Sequence, residues 1–296
     1  MPTDPPSNPG GFIGQLRKRA AARPARIGFP ESDEPRTSEA IERLRREGLV
    51  IPIPLGGSDS AGSGAHAALE SALRLLADAD VDGVVAGAAT ATSDVIRAGL
   101  RTLGVAPGFA TVSSVFYMVL GDGGEEKVLS FTDAGVVPRP TAEQLAESAD
   151  AAATGRTTVV GDEPRVAFLS YSTHGSAEGP DVERVREGLS LFRVRRPDVA
   201  ADGELQADAA VVPDVGRSKA PGSSVAGSAN VLVFPDLASG NIGYKLVERL
   251  VGARALGPIL QGLSAPLNDL SRGASVADIV DVACITAIMS QRGGEG

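Results

Sequence analysis

The stretch Val81-Asp82-Gly83-Val84-Val85-Ala86 predicts a short buried strand, and residues 93–103 after it predict a helix. The preceding elements are expected in this order: helix 12–22, strand 26–30, helix 36–47, strand 49–55 and helix 65–78. Alternating helices and nearly continuous apolar strands are typical of a mostly parallel sheet that helices cover on both sides.

A second alternating series follows the first. Residues 109–120 and 127–132 predict two adjacent strands, joined by a turn at Gly121-Asp122-Gly123-Gly124. Pro138-Arg139-Pro140 then breaks the chain, and we expect a boundary between two subdomains there. The later elements are expected in this order: helix 141–154, strand 165–169, helix 180–194, helix 205–212, loop 213–228, strand 231–234, helix 241–253 and helix 276–290.

Composition limits the classes of function. The chain has 296 residues, and 43% of them are apolar, which is enough for a substantial core. A net charge of −9 argues against a protein that coats nucleic acid, but it leaves room for a local anion site. No apolar run approaches membrane-spanning length, and the single cysteine, Cys284, lies in an apolar helical run that favours a buried, inert thiol. We expect a cytoplasmic protein with a mobile tail at residues 1–11.

The run Asn268-Asp269-Leu270-Ser271-Arg272-Gly273, with Ser275 and Asp278 after it, places a hydroxyl, a guanidinium and a carboxylate within eight residues. Such a trio can hold an anion, polarise a carbonyl and take up a proton. Ser275 and Asp278 also fit a capping box, which explains Asp278 in purely structural terms. Composition does not decide between the two interpretations.

Two loops and one arginine are further candidates for ligand binding. Ser170 to Ser176 and Ser239 to Lys245 each follow a predicted strand and open a helix, where an α/β sheet can bind an anion. Helix capping and a simple Gly/Asn turn are the structural alternatives. Arg97 can hold a phosphate or carboxylate with two hydrogen bonds, or it can form a surface ion pair with Asp94, which its spacing favours.

Several motifs in a fixed order resemble the phosphate acetyl/butaryl-transferase family, which includes the phosphotransacetylases. The resemblance is dense from about 131 to 290, and it is weaker at Pro30-Glu31-x-Asp33-x-x-Arg36 and from Gly87 to Arg97. The motifs that carry it are Ser170-Tyr171-Ser172-Thr173, Asp202-Gly203-Glu204-Leu205-Gln206, Lys219-Ala220-Pro221-Gly222-Ser223, Val225-Ala226-Gly227, Ala229-Asn230-Val231, Gly240-Asn241-Ile242-Gly243-Tyr244-Lys245, Gly257-Pro258-Ile259, Gln261-Gly262 and Asn268 to Gly273.

The resemblance implies a fold and a reaction. It implies an α/β protein of two three-layer subdomains with a cleft between them, like isocitrate and isopropylmalate dehydrogenases. Subdomain 1 is expected at 12–138 plus 259–296, and subdomain 2 at 139–258. The implied reaction is acetyl-CoA plus phosphate giving acetyl phosphate plus CoA. CoA is a substrate there, no cofactor or metal is expected, and neither a nucleic acid nor a membrane is a partner. A homodimer is usual in the family.

The resemblance also implies roles for individual residues. Asp278 is expected to deprotonate the CoA thiol, Arg272 to engage the acyl phosphate and Ser271 to help stabilise the transition state. The residues expected to bind substrate are Arg97, Ser172, Thr173, Asn241, Tyr244 and Lys245.

The chain departs from the family pattern in several places. Thr90, Ala98 and Ala274 stand where the family usually has His, Pro and often Cys, and the region around 55–76 is shortened. The shortening leaves two alternatives open: a butyryl-like acyl range, or a ligand-binding homologue with impaired catalysis. A dehydrogenase is disfavoured because no Gly-x-Gly-x-x-Gly motif follows a strand.

Overall fold

The computed structural model describes residues 10–56, 63–121 and 126–291. The helices within these residues are α1 Phe12–Ala22, α2 Pro35–Glu47, α3 Ser63–Ala77, α4 Thr92–Thr102, α5 Ala142–Val159, α6 Pro180–Arg195, α7 Ala207–Val211, α8 Pro213–Lys219, α9 Leu237–Val251 and α10 Val276–Ser290. The strands are β1 Arg26–Phe29, β2 Ile51–Pro54, β3 Gly83–Ala86, β4 Ser113–Leu120, β5 Lys127–Thr132, β6 Arg165–Leu169, β7 Ala200–Leu205, β8 Val231–Val233, β9 Arg254–Gln261 and β10 Leu267–Asp269.

The chain forms two compact units, each with its own sheet. Of the described residues, 10–56, 63–107, 126 and 256–291 belong to unit 1, and 108–121 and 127–255 belong to unit 2. The two-sheet α/β class predicted from the sequence is confirmed.

Unit 1 contains a four-stranded parallel sheet in the order β10-β3-β1-β2. Its central strand β3 is buried along its entire length. Helix α10 contacts both α1 and α2, and α3 and α4 contact each other. The apolar side chains of α10 make it the most buried helix of this unit, and they pack on α1, α2 and β3.

Unit 2 is built on the strand order β7-β6-β8-β5-β4, and β9, in which the division between the units falls, comes next in the order. Strands β5 to β8 are parallel, whereas β4 is antiparallel to β5. Alternation along β6 divides its side chains between two cores: Val166 and Phe168 pack with α5 and α6, whereas Ala167 and Leu169 pack in the cluster that contains Ala209. Both faces of this sheet are therefore buried.

The division into compact units differs from the expected boundary near residue 138, because it assigns β4 and β5 to unit 2. Strand β5 pairs in parallel with β8, with Ser130 opposite Val231, and β4 pairs with β5. These ladders tie the hairpin to the later half of the chain. The expected mobile tail at 1–11 lies outside the described residues up to residue 9. The expected turn 121–124 lies outside them from residue 122, and so do residues 57–62 of the shortened region.

Four elements were not predicted as the structure has them. Residues 200–205 form the edge strand β7, and their polar sequence Ala-Ala-Asp-Gly-Glu-Leu does not indicate a strand. Residues 213–219 of the expected loop form the short helix α8. Strands β9 and β10 were not expected as strands; β10 has only three residues, and two of them belong to the motif that was interpreted as a site. Short or polar strands give little periodic signal.

An ion pair between Arg17 of α1 and Asp281 of α10 is buried in unit 1. Arg17 Nε lies 2.7 Å from Asp281 Oδ1, and the Asp281 side chain has no exposed surface. Removing one partner leaves an uncompensated charge in a medium of low dielectric constant. We therefore expect Asp281→Ala to lower the free energy of unfolding by about 3–5 kcal/mol in a urea titration.

The matched control for that variant is Glu70→Ala, because Glu70 forms an exposed pair with Arg101 at 3.1 Å. This control is expected to lose less than about 1 kcal/mol. Equal losses for the two variants would contradict a special contribution of the buried pair.

Candidate functional site

The parallel strands of unit 1 end at one edge of the sheet, which gathers three connecting segments there. Residues 30–34 follow β1, residues 87–91 follow β3, and residues 270–275 follow β10. Leu270 N donates to Ala86 O at 2.8 Å, which continues the pairing of β10 with β3 one residue past the strand. The carboxyl edge of a parallel sheet is where α/β proteins bind ligands.

Gly87 allows two of these segments to approach each other closely. Its φ of +100° lies in a region that side chains disfavour, and a Cβ there would lie 2.1 Å from Asp269 Oδ1. A glycine is therefore required where the chain leaves β3 beside the end of β10.

Ser271 and Arg272 lie on the exposed turn between β10 and α10. The Ser271 hydroxyl accepts a hydrogen bond from Gly273 N at 3.2 Å, and Ala274 N donates to Ser271 O at 2.8 Å. The Arg272 side chain is exposed and has no ion-pair or hydrogen-bond partner within residues 10–56, 63–121 and 126–291. Its positive charge remains available to an anion at the edge of the sheet.

Asp278 is the third residue of α10 and takes part in its N-terminal cap with Ser275. Its Oδ2 accepts hydrogen bonds from Ser275 N at 2.9 Å and from the Ser275 hydroxyl at 2.8 Å, and its own N–H donates to that hydroxyl. The capping box that the sequence allowed is thus present. The carboxylate is half-buried, so its structural bonds do not remove it from the surface.

Arg97 forms the ion pair that its spacing favoured. Its guanidinium lies 2.6 Å from Asp94 Oδ1 and is 65% exposed, and the second Asp94 oxygen lies 3.6 Å from His66 Nε2. An exposed pair of this kind contributes little to stability, so an incoming anion can compete for the arginine at low cost.

Asp269 is a buried carboxyl group at the end of β10. Thr92, the first residue of α4, donates its hydroxyl to Asp269 Oδ2 at 2.6 Å, which links the two helix-bearing segments. Burial, together with the nearby Glu31 carboxylate, raises the pKa of Asp269 to about 7, although the hydrogen bond from Thr92 acts in the opposite direction.

In unit 2, the loop after β6 is organised around Glu204. Ser172 is fully buried, and its hydroxyl donates to Glu204 Oε1 at 2.8 Å, while Gly175 N donates to the same oxygen. Burial alone would raise the pKa of Glu204, but the hydrogen bonds from Arg186, Gly175 and Ser172 outweigh it and lower that pKa to about 2. The Thr173 hydroxyl accepts from Gln206 N. The hydroxyls of Ser172 and Thr173 therefore bond within unit 2.

The other predicted residues of unit 2 lie along α9. Asn241 Nδ2 donates to Ala134 O at 3.3 Å, and the Tyr244 ring stacks on Phe116 with a centroid distance of 4.1 Å. Lys245 is exposed, with its Nζ 5.5 Å from the centre of the Tyr244 ring. Tyr244 is thus partly a core residue, and Lys245 is the charge of this group that faces solvent.

Comparisons with known proteins place the chain in a family. Residues 65–287 match the phosphate acetyl/butaryl transferase family. A phosphate acetyltransferase of Clostridium acetobutylicum is 43% identical over 286 residues, which cover 96% of this chain and 86% of that protein. A phosphotransacetylase structure from Streptococcus pyogenes superposes with a TM-score of 0.86 at 35% identity, covering 95% of this chain and 98% of that one.

The chain belongs to the phosphate acetyl/butaryl transferase family. The resemblance read from the motifs is therefore confirmed, and so is the class of enzyme, an acyltransferase.

A second relative shows a difference in length from this chain. The phosphate acetyltransferase of Thermoanaerobacterium thermosaccharolyticum is 41% identical, and the alignment spans 326 residues and covers 95% of this chain and 99% of that protein. Because this chain has only 296 residues, the relative contains residues that have no counterpart here.

Within the described part of the chain, no helix is long and apolar enough to cross a membrane. The same residues contain no group of three or more His, Cys, Asp or Glu side chains arranged to hold a metal ion.

The structure of this family member assigns contacts to residues that the sequence did not single out as functional. Glu31, Asp133 and Glu204 are buried carboxylates that each accept main-chain N–H groups in a loop after a strand. Glu31 and Glu204 lie in motifs that had been noted. Glu31 and Asp133 each closely follow a largely buried strand, whereas Glu204 lies within the polar strand β7 and has no such signal. Sequence alone does not say which backbone groups they bind.

The raised pKa of Asp269 predicts a pH-dependent stability. Its ordinary value is 3.8 and its folded value is about 7, so the folded chain binds this proton more tightly than the unfolded chain. The contribution of this group to the free energy of unfolding therefore decreases as the pH rises from about 4 to about 7. We expect Asp269→Asn, which can still accept from Thr92, to be more stable than wild type at pH 8, by up to about 4 kcal/mol.

Urea titrations at pH 5 and pH 8 measure this difference. Asp82→Asn serves as a control of opposite sign, because a hydrogen bond from Arg26 lowers the pKa of Asp82. That variant is expected to lose stability at both pH values. Identical stability of wild type and Asp269→Asn at pH 8 would rule out a carboxylate that is ionised there at an energetic cost.

Proposed function

We propose that this chain transfers an acetyl group reversibly between CoA and inorganic phosphate, with Ser271, Arg272 and Asp278 as the catalytic residues. One observation carries the proposal. The exposed Arg272 guanidinium, without a partner in the described residues, lies on the turn between the end of β10 and α10, whose first turn contains Asp278. In a family of acyl-phosphate enzymes, an uncompensated cation at the carboxyl edge of a sheet fits a phosphate or acyl phosphate.

Asp278 is the proposed general base. A thiol has a pKa of about 8.5, so only a small fraction of CoA is thiolate at neutral pH. In the direction of acetyl-CoA formation, the carboxylate accepts the thiol proton and the sulfur attacks the carbonyl carbon of acetyl phosphate. The carbon–oxygen bond to phosphate then breaks, and phosphate leaves with the electron pair. The reverse direction uses the same steps in reverse order.

Arg272 and Ser271 are proposed to stabilise the charge that forms on the carbonyl oxygen. Attack by the thiolate converts the carbonyl into a tetrahedral oxyanion, and donors aimed at that oxygen lower the barrier. A guanidinium has several N–H donors in a fixed fork, so Arg272 can also hold the phosphoryl oxygens. The Ser271 hydroxyl accepts from Gly273 N and still has its own proton to donate.

Substrate binding is proposed for Arg97 within unit 1 and for residues of α9 and of the loop after β6 within unit 2. Arg97 can exchange its exposed bond with Asp94 for an anionic group of the substrate, and Lys245 is an exposed cation on α9. For Ser172, Thr173, Asn241 and Tyr244, the contacts within unit 2 favour an indirect contribution, in which they hold loop backbone and ring surfaces in place.

The assay follows free thiol released from acetyl-CoA in the presence of phosphate, together with acetyl phosphate. Butyryl-CoA in a parallel reaction measures the acyl range. Asp278→Asn and Arg272→Ala are each expected to lower kcat at least about 100-fold, because each removes a group that acts in the transition state. Arg101→Ala, an exposed arginine of the same unit, is the matched control and should react like wild type.

Two variants separate the base from the helix cap. Asp278→Asn can still accept from Ser275 and thus keeps the cap, whereas Ser275→Ala keeps the carboxylate and loses the hydroxyl. Ser275→Ala is expected to cost about 1 kcal/mol of stability but to retain most of the activity. If Ser275→Ala were as inactive as Asp278→Asn, the role of Asp278 would be structural. Binding of CoA by a wild-type protein without turnover would favour the impaired homologue.

We also propose that the protein is located in the cytoplasm and forms a homodimer. An apolar stripe on α9 supports the dimer: Ile242, Leu246 and Leu250 are spaced by four residues and are 59%, 53% and 78% exposed. A symmetric dimer would bury the same stripe of both copies.

A charge in this stripe is expected to break such a dimer. Leu246→Glu should elute as a monomer in size-exclusion chromatography with light scattering, while wild type elutes as a dimer, because an ion cannot be buried unpaired. Val194→Glu, at an exposed apolar position of α6, is the control and should remain dimeric. A monomeric wild type would contradict the proposal.

A further inference from the structure

The motif Pro30-Glu31-x-Asp33-x-x-Arg36 has no role in the chemistry proposed above. Its residues Glu31 and Arg36 nevertheless bind backbone groups of the segments that follow β3 and β10. The Glu31 carboxylate is buried and accepts hydrogen bonds from the N–H groups of Ala88 at 2.7 Å and Thr90 at 2.7 Å. A further bond comes from the N–H of Ala89 at 3.2 Å. Glu31 thus fixes the segment that connects β3 to α4.

Arg36 binds carbonyl groups on both sides. Its Nη1 donates to Arg272 O at 2.9 Å and to Ala274 O at 2.8 Å, and its Nη2 donates to Ala88 O at 3.1 Å. Its Nε donates to Glu34 Oε1 at 2.7 Å, and this bond fixes the orientation of the guanidinium group. These bonds use four of the five N–H groups of the side chain, so the arginine serves protein acceptors.

The geometry has a direct consequence for the turn that carries Ser271 and Arg272. The carbonyl groups of Arg272 and Ala274 lie outside the ladders of β10 and α10, and one nitrogen of Arg36 holds both of them. Ala88 is bound at its N–H by Glu31 and at its C=O by Arg36. Arg36 therefore bridges the two segments directly, in addition to the bond between Thr92 and Asp269.

We infer that Arg36 is a positioning residue, which sets the place of Ser271 and Arg272 by holding the backbone of their turn against the β3–α4 segment. This inference rests on the proposed function for its kinetic part. A lysine at this position is a point charge and cannot reproduce the fork to three carbonyl oxygens. A displacement of about 1 Å at a reacting centre can cost about 100-fold in rate.

The first test does not depend on activity. Hydrogen–deuterium exchange in Arg36→Gln is expected to be faster than in wild type in peptides that contain 271–275 and 88–91. The N–H groups of Gly273, Ala274 and Ser275 are bonded within the turn and report its order. Arg26→Gln is the matched control, because Arg26, the first residue of β1, donates several hydrogen bonds in a similar way to Asp82 and to Ala79 O. It should leave those peptides unchanged.

The second test is kinetic. Arg36→Gln is expected to lower kcat by about 10- to 100-fold with a smaller change in KM, and Arg36→Lys is expected to lie between Arg36→Gln and wild type. Because Arg36 acts through the turn that carries Arg272, Arg36→Gln should cost less than about 3-fold more in the Arg272→Ala background.

The outcomes separate the two proposals. Exchange in Arg36→Gln that matches wild type at 271–275 would overturn the positioning role, and so would a full multiplicative loss in the double variant. An inactive wild-type protein would overturn the proposed function alone, and faster exchange in Arg36→Gln would still support the clamp.

Discussion

The pairing of β10 with β3 is the constraint on which the rest of unit 1 depends. Asp269 lies opposite Ala86 in a parallel ladder, so a segment near the end of the chain joins strands from its beginning. A parallel pair cannot be closed by a tight turn and needs a long connection, which here is everything between the two strands. The pairing of β10 with β3 brings the turn with Ser271 and Arg272 to the sheet edge where β3 also ends. It also places α10 against α1 and α2, and the buried pair of Arg17 with Asp281 then fixes that packing.

Buried carboxylates organise loops in both units by the same physical means. Glu31 accepts three main-chain N–H groups of residues 88–90, and Asp133 accepts those of Gly135, Val136 and Val137. Glu204 accepts from Gly175 N and is also held by Arg186. Loop N–H groups have no partner in a strand or helix, and an unpaired buried group is costly. A carboxylate can satisfy several of them from one position, which gives an irregular segment a single conformation.

The sequence predicted the fold better than the roles of individual polar residues. Long apolar segments such as α10 and apolar strands such as β6 were predicted because their composition is visible within a short stretch of sequence. The hairpin of β4 and β5 was predicted, but its place in unit 2 was not. The pairing of β5 with β8 joins residues about 100 positions apart, so no local pattern indicates it. The polar edge strand β7 had no apolar alternation to reveal it. The contacts of Arg36 could not be predicted either. Its partners are carbonyl oxygens far along the chain, and backbone atoms carry no sequence signal.

The site motif raised a conflict between a helix cap and a base, and the geometry makes the two roles compatible. The main-chain N–H of Ser275 holds Asp278 Oδ2, so the carboxylate has a defined orientation before any substrate arrives. Groups that are already oriented need no reorganisation at the moment of reaction, and this is what makes electrostatic catalysis effective. Arg272 complements this arrangement. Arg36 and Arg97 are bonded to protein acceptors, whereas the Arg272 side chain has none within the part of the chain that the structure describes. The backbone of Arg272 is held by Arg36 while its guanidinium has no such partner there, and this difference supports the proposed contact of Arg272 with a phosphate-bearing substrate.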